Sequence, residues 1–113
     1  MDALADRDIV ICNKGTLPLT EAEYAPLLRQ LPAWDIAVVD GVERLQRSYV
    51  FADPSDAAAF SRFISAAADE ADHHPFLLRD ENRLTVFWWT HSIKGLHLND
   101  FIMAARSDEA FGQ

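Results

Sequence analysis

Apolar residues recur at three- and four-residue spacing through Ala57, Phe60, Ile64, Ala67, Ala68 and Ala71, which predicts a helix with one stripe turned toward a core. Asp53 and Pro54 ahead of it read as an N-cap and a first helical residue, where proline's missing N–H costs nothing. At the other end His74 precedes Pro75 and is pushed toward extended backbone, so the helix ends near Asp72. On either side of this helix the period changes to two. Trp34 to Val39 is rich in aromatic and β-branched residues, Asp40-Gly41 is a hairpin signal, and a second strand runs from Val42 to Phe51. A third strand is expected over roughly Phe76 to Arg79, followed by the polar turn Asp80-Glu81-Asn82 and a fourth strand from Leu84 to His91. Alternation in that last strand sets Thr85, Phe87, Trp89 and His91 on one face and Leu84, Val86, Trp88 and Thr90 on the other.

Two further helices frame these elements. Thr20-Glu21-Ala22-Glu23 reads as a capping box, with Leu19 and Tyr24 spaced as a hydrophobic staple, and the helix should run from Glu21 to about Leu31 before Pro32. Pro26 lies past its first turn, so a bend or a slipped start is expected there. After Gly95 a last helix begins near Leu98 or Asn99 and continues to about Ala110, burying Phe101, Ile102, Ala104 and Ala105. Residues 1–16 lack periodicity and are expected to form a loosely attached leader before a single domain over 17–113. The order helix, strand, strand, helix, strand, strand, helix, with hairpin links, predicts an α+β fold: a four-stranded antiparallel sheet with three helices on one face.

Composition narrows the function. With 113 residues, half of them apolar, the chain can bury one two-layer core without disulfides. A formal charge of −8, from 18 acidic and 10 basic residues, repels a phosphate backbone, and no local cluster of Lys and Arg offsets it, so direct nucleic-acid binding is not expected. The single cysteine, Cys12, cannot form an internal disulfide, which suits a reducing compartment, and its Gly/Pro-punctuated surroundings make it a weak candidate nucleophile. The start M-D-A-L-A-D-R-D lacks a basic, apolar signal pattern and no run is long enough to cross a bilayer; the expected location is the cytoplasm, with no membrane partner.

Chemistry concentrates between Asp72 and Asp100. All four histidines, His73, His74, His91 and His97, fall there. A histidine holds or releases a proton near neutral pH, which suits a reaction needing both a general acid and a general base. Pro75 forces open the junction carrying His73 and His74, and the hairpin at 80–82 can bring His91 alongside. Trp89, on the face of His91, is placed to wall a ring-shaped substrate. Other readings compete: His-His-Pro alone also fits a solvated turn, and His97 beside a helix start fits a cap or a surface group. Three imidazoles also make a zinc donor set, but neighbouring His73 and His74 project in different directions and no H-x-H or H-E-x-x-H pattern exists, so no metal is expected.

The stretch D-x-x-x-H-H-P at Asp69 to Pro75, followed by W-W-T-H-S-I-K-G-L-H-L-N-D-F-I-M-A-A-R at Trp88 to Arg106, closely resembles the pterin-4a-carbinolamine dehydratases. Looser similarity extends upstream through L-T-E-A-E, L-P-A-W and Y-V-F-A-D, covering the chain from about Leu17. The resemblance implies the same α+β fold, assembly as a homodimer or homotetramer, and dehydration of 4a-hydroxytetrahydropterin to quinonoid dihydropterin. That step recycles tetrahydropterin after aromatic amino-acid hydroxylation, linking the chain functionally to a hydroxylase, and uses no metal or bound cofactor. His73, His74 and His91 match the family's three histidines around the pterin. Asp72 and Trp89-Thr90-His91-Ser92 match substrate-contacting stretches, while Asp69 and Asp100 match acidic positions expected to support them or cap a helix. Where the family usually has an aromatic residue six positions after the proline, this chain has Glu81. The family also implies an alternative: some relatives are catalytically silent and act as regulatory or assembly modules that bind other proteins.

Overall fold

The computed structural model describes residues 3–10 and 15–112; Cys12 lies outside them. Seven regular elements follow the expected order: α1 (Glu21–Leu28), β1 (Asp35–Val39), β2 (Val42–Val50), α2 (Pro54–Ala71), β3 (Phe76–Asp80), β4 (Arg83–Trp88) and α3 (Leu98–Phe111). The strands form one antiparallel sheet in the order β1-β2-β4-β3. Asp40 and Gly41 both take positive φ, 53° and 78°, as a two-residue hairpin with the right strand twist requires.

Alternation along the strands decides which face is covered. Leu45, Arg47 and Tyr49 of β2 and Leu84, Val86 and Trp88 of β4 are all buried. Against them pack Ala57, Phe60, Ile64 and Ala68 of α2 and Phe101 and Ala104 of α3. The opposite face leaves Val50, Phe76 and Leu78 at least half exposed. A buried polar knot ties α3 to the sheet and to Trp34. The Asp108 carboxylate accepts from Arg47 Nη1 at 2.6 Å, Tyr49 Oη at 2.6 Å and Trp34 Nε1 at 3.0 Å. Burial, reinforced by the bond to that carboxylate, pushes the Tyr49 hydroxyl pKa far above its usual value, so the hydroxyl stays protonated and donates to Asp108.

Several expectations are corrected in detail. The α1 capping box forms, with Thr20 Oγ1 accepting from Glu23 N and Glu23 Oε1 accepting from Thr20 N. Pro26 sits inside α1, which starts where expected but ends at Leu28. Asp53 occupies the N-cap position of α2, yet its side chain makes no capping bond. Strand β4 stops at Trp88 rather than His91, because Thr90 pairs back onto Gly95 (Thr90 N to Gly95 O, 2.8 Å) and His91–Ile93 turn as a 3-10 helix. Gly95 is required there: a Cβ would meet Pro18 at 2.6 Å. The described part of the leader is docked rather than loose, since Leu4 is buried in the core and Arg106 donates to the carbonyls of Ala5 and Arg7 at 3.2 and 2.7 Å. Buried apolar area and two backbone acceptors on α3 hold a segment that has no periodicity of its own.

His97 caps α3: its Nδ1 accepts from Asn99 N at 3.1 Å, a role open only to an unprotonated nitrogen.

Two outcomes follow from these contacts. Asp108→Ala leaves a buried guanidinium, a phenol and an indole N–H without their acceptor, and should lower unfolding free energy in urea by about 3 kcal/mol. For His97, burial above all holds the pKa below its ordinary 6.5, the His73 charge adding to this and Asp100 opposing it. The folded state thus favours the neutral ring, and this contribution is complete above about pH 6.5 and lost as pH falls through the lowered folded value. His97→Asn, which caps without titrating, should flatten the melting temperature against pH in that window, while an unchanged slope would assign the loss to other groups.

Candidate active site

The site is assembled where α2 ends, β3 begins and β4 ends. Asp72 closes α2 in a left-handed conformation (φ 53°), and His73 N bonds back to Ala68 O at 3.1 Å, so the chain reverses sharply into Pro75 and β3. This turn delivers His73 inward and His74 outward. His73 is 12 % exposed and its ring stacks on that of Trp88, with centroids 5.8 Å apart and planes within 6°. Its Nε2 meets Asp100 Oδ1 at 2.6 Å. His74 instead pairs at 2.9 Å with Asp69, one turn back on α2, and both are more than half exposed. Such an exposed pair contributes little to stability.

Asp100 is fully buried on the first turn of α3. Besides His73 it takes Thr90 Oγ1 at 2.9 Å and His97 N at 2.9 Å through Oδ2. One carboxylate therefore binds the α2–β3 junction, the segment after β4 and the start of α3. Because an ionised carboxylate only accepts, His73 must present Nε2–H to it, and Nδ1 is left as the ring's acceptor.

His91 follows Thr90 in the 3-10 turn, exposed, with its ring 4.3 Å from that of Trp89 and tilted by 36°. The Arg44 guanidinium lies 3.8 Å over the Trp89 ring, a cation–π contact from β2 that holds the indole. Both tryptophans are buried in the core, Trp88 backing His73 and Trp89 flanking His91.

Asp72, His73, His74, Trp89, Thr90, His91 and Ser92 all line one cleft of about 540 Å³, a size suited to a bicyclic heterocycle. Asp100 lies beneath it and Asp69 outside it, reached through His73 and His74. The sequence reading missed four lining residues, Ile9, Val10, Ala71 and Asn99. Ala71 is signalled only as the end of the helical stripe, and Asn99 only as a position at the start of the last helix. Nothing in the sequence pattern marks Ile9 or Val10. Glu81, in contrast, sits exposed in the two-residue β3–β4 turn with φ 56°, roughly 16 Å along the strand from Phe76 and the cleft. Glu81 is not among the residues that line the cleft. Among the described residues no group of three His, Cys, Asp or Glu side chains is placed to hold a metal ion, and no helix is long and apolar enough to cross a membrane.

The chain is similar to known proteins along most of its length. The family model described as Pterin 4 alpha carbinolamine dehydratase matches residues 17–110. A Chlorobium luteolum protein provisionally named pterin-4-alpha-carbinolamine dehydratase is 42% identical over 111 residues, 98% of this chain and 97% of that protein. A Microcystis aeruginosa protein of the same provisional name is 41% identical over 113 residues, covering 100% of this chain and 97% of the relative. The crystal structure of a transcriptional coactivator/pterin dehydratase from Brucella melitensis superposes with a TM-score of 0.76 at 37% identity, over 84% of this chain and 99% of that one. A cleft ringed by Asp72, His73, His74 and His91, on a fold shared with that structure, goes with a match across most of the sequence: the chain belongs to the pterin 4 alpha carbinolamine dehydratase family.

Proposed function

We propose that the chain dehydrates 4a-hydroxytetrahydropterin to quinonoid dihydropterin by histidine acid and base catalysis. The observation that carries this reading is the convergence of His73, His74 and His91 on one cleft, with His73 tied to the buried Asp100. Elimination of water breaks the bond from C4a to its hydroxyl and forms a C4a–N5 double bond. One proton goes to the departing oxygen and one leaves N5, so an acid and a base must flank the same edge of the ring.

His73 and His91 divide these tasks. His73, with Nε2–H committed to Asp100, offers Nδ1 as the base for the N5 proton. The arrangement matches an imidazole oriented by a buried carboxylate, which fixes tautomer and aim before substrate arrives. His91, an exposed lining residue of the same cleft, donates to the hydroxyl and is reprotonated from water. Trp89, with its ring beside that of His91, gives the heterocycle a flat surface, and His74 and Asp72 meet its polar edge. Thr90 acts through Asp100, and Ser92 borders the His91 side. Asp69 orients His74. The physiological setting is the recycling of tetrahydropterin after aromatic amino-acid hydroxylation, in the cytoplasm. Assembly as a homodimer or homotetramer suits the half-exposed Phe76 and Leu78 of the edge strand β3.

A second reading, a protein-binding role, is favoured by one observation: the Brucella melitensis relative is named a coactivator as well as a dehydratase. The histidine cleft argues for catalysis, since binding another protein places no demand on imidazoles around a cavity.

The deciding measurement is decay of the carbinolamine absorbance with purified protein. His73→Ala and His91→Ala should each lower kcat by about a hundredfold or more, and the pair together should leave the uncatalysed rate. His74→Ala should chiefly raise KM. Asp100→Asn should lower kcat with KM little changed, because it disturbs the tautomer of His73 while preserving its volume. Full turnover without both His73 and His91 removes the proposal, and a wild-type protein that leaves the carbinolamine untouched favours the binding role.

A further inference from the structure

Residues 3–10 lie outside the region matched by the family model, which begins at 17, yet they reach the cleft. They are held at two separated points. Toward the start, Leu4 is 3 % exposed within the core and Arg106 of α3 donates to the carbonyls of Ala5 and Arg7. At the other end the buried Asn99 side chain grips both polar groups of Val10: its Oδ1 accepts from Val10 N at 2.9 Å and its Nδ2 donates to Val10 O at 2.7 Å. A primary amide paired with a backbone N–H and C=O in this way mimics a strand partner and fixes both position and rotation of that peptide. Ile9 and Val10 are thereby presented as lining residues of the cleft. Most of the remaining lining is polar or titratable; the strap, Ala71 and Trp89 supply its carbon surface.

The geometry points to Ile9 and Val10 as specificity-determining residues that form an apolar wall for the carbon-substituted edge of the pterin, with Asn99 as the positioning residue that latches them. This inference rests on the dehydratase reading above. A pterin has one edge of amide and amino groups and another carrying its carbon substituent. With the polar lining residues Asp72 and His74 taking the polar edge, the substituent would meet the apolar strap, where burying each methyl group removes carbon surface from water. The wall acts on binding of substrate and transition state alike, so it enters KM rather than kcat.

The test compares wild type, the double variant Ile9→Ala/Val10→Ala, Asn99→Ala and the triple variant, using the 6-methyl carbinolamine and its counterpart unsubstituted at C6. The double variant should raise KM for the 6-methyl substrate by about tenfold with kcat within twofold, and should change KM for the unsubstituted one far less. Asn99→Ala should raise KM similarly, and the triple variant should be no worse than Asn99→Ala, because side chains on a released strap no longer reach the substrate. Hydrogen exchange gives a readout independent of turnover: the Val10 amide should be protected in wild type, slowed further by an oxidised pterin, and fast in Asn99→Ala. Should Asn99→Ala unfold, the double variant decides alone. A wild type that turns over both substrates while the double variant keeps the wild-type KM, or additive effects in the triple variant, would overturn the inference and leave the dehydratase reading standing. A wild type without turnover or pterin-dependent protection would bring down the dehydratase reading and this inference with it.

Discussion

One buried carboxylate organises this protein. Asp100, with no exposed surface, accepts from His73, Thr90 and the amide of His97, which come from the end of α2, the segment after β4 and the cap of α3. An ionised group so deeply placed is tolerable only when its lone pairs are filled by donors. That requirement draws three distant pieces of chain to one point. It also orients the His73 imidazole, so the interaction that joins the elements fixes the ring that the proposed chemistry would use. The second knot, at Asp108, does for the sheet's far side what Asp100 does for the cleft: it ties α3 to Trp34, Arg47 and Tyr49.

The two ring-bearing walls of the cleft are stabilised by different means. His73 rests in the core against Trp88 and is fixed by a charge-assisted bond, whereas His91 stands exposed beside Trp89, which Arg44 covers from β2. In the proposed dehydration His73 would be the fixed base and His91 the acid in contact with solvent, both returning to their starting protonation states through water between cycles. The strap adds a wall without titratable groups, held by Asn99 on the α3 turn that also carries Asp100. The amide that holds Val10 and the carboxylate that holds His73 thus share the N-terminus of α3.

Much of the fold was legible in the sequence because its signals are local. The hairpin at Asp40-Gly41, the capping box at Thr20 and Glu23 and the break at His74-Pro75 each concern residues within four positions of one another, and each appears where expected. The error at β4 has the opposite origin. Alternation continues through Thr90 and His91, but pairing of Thr90 to Gly95, with Pro18 pressed on Gly95, turns the chain out of the sheet. A period-two pattern does not report where a strand loses its partner.

Residue types and spacing by themselves determined the α+β order, the concentration of imidazoles and acids between Asp69 and Asp100, and the likeness to the pterin dehydratases. Only the tertiary structure decided that His73 turns in to Asp100 while His74 turns out to Asp69, that Trp88 and Trp89 serve different walls, and that Ile9 and Val10 reach the cleft. The physical reason is separation along the chain. Asp100 lies 27 residues from His73 and Asn99 lies 89 from Val10, and neither bond has a local pattern that announces it. Such contacts exist only once burial has removed water as the competing partner, and that burial belongs to the packed whole.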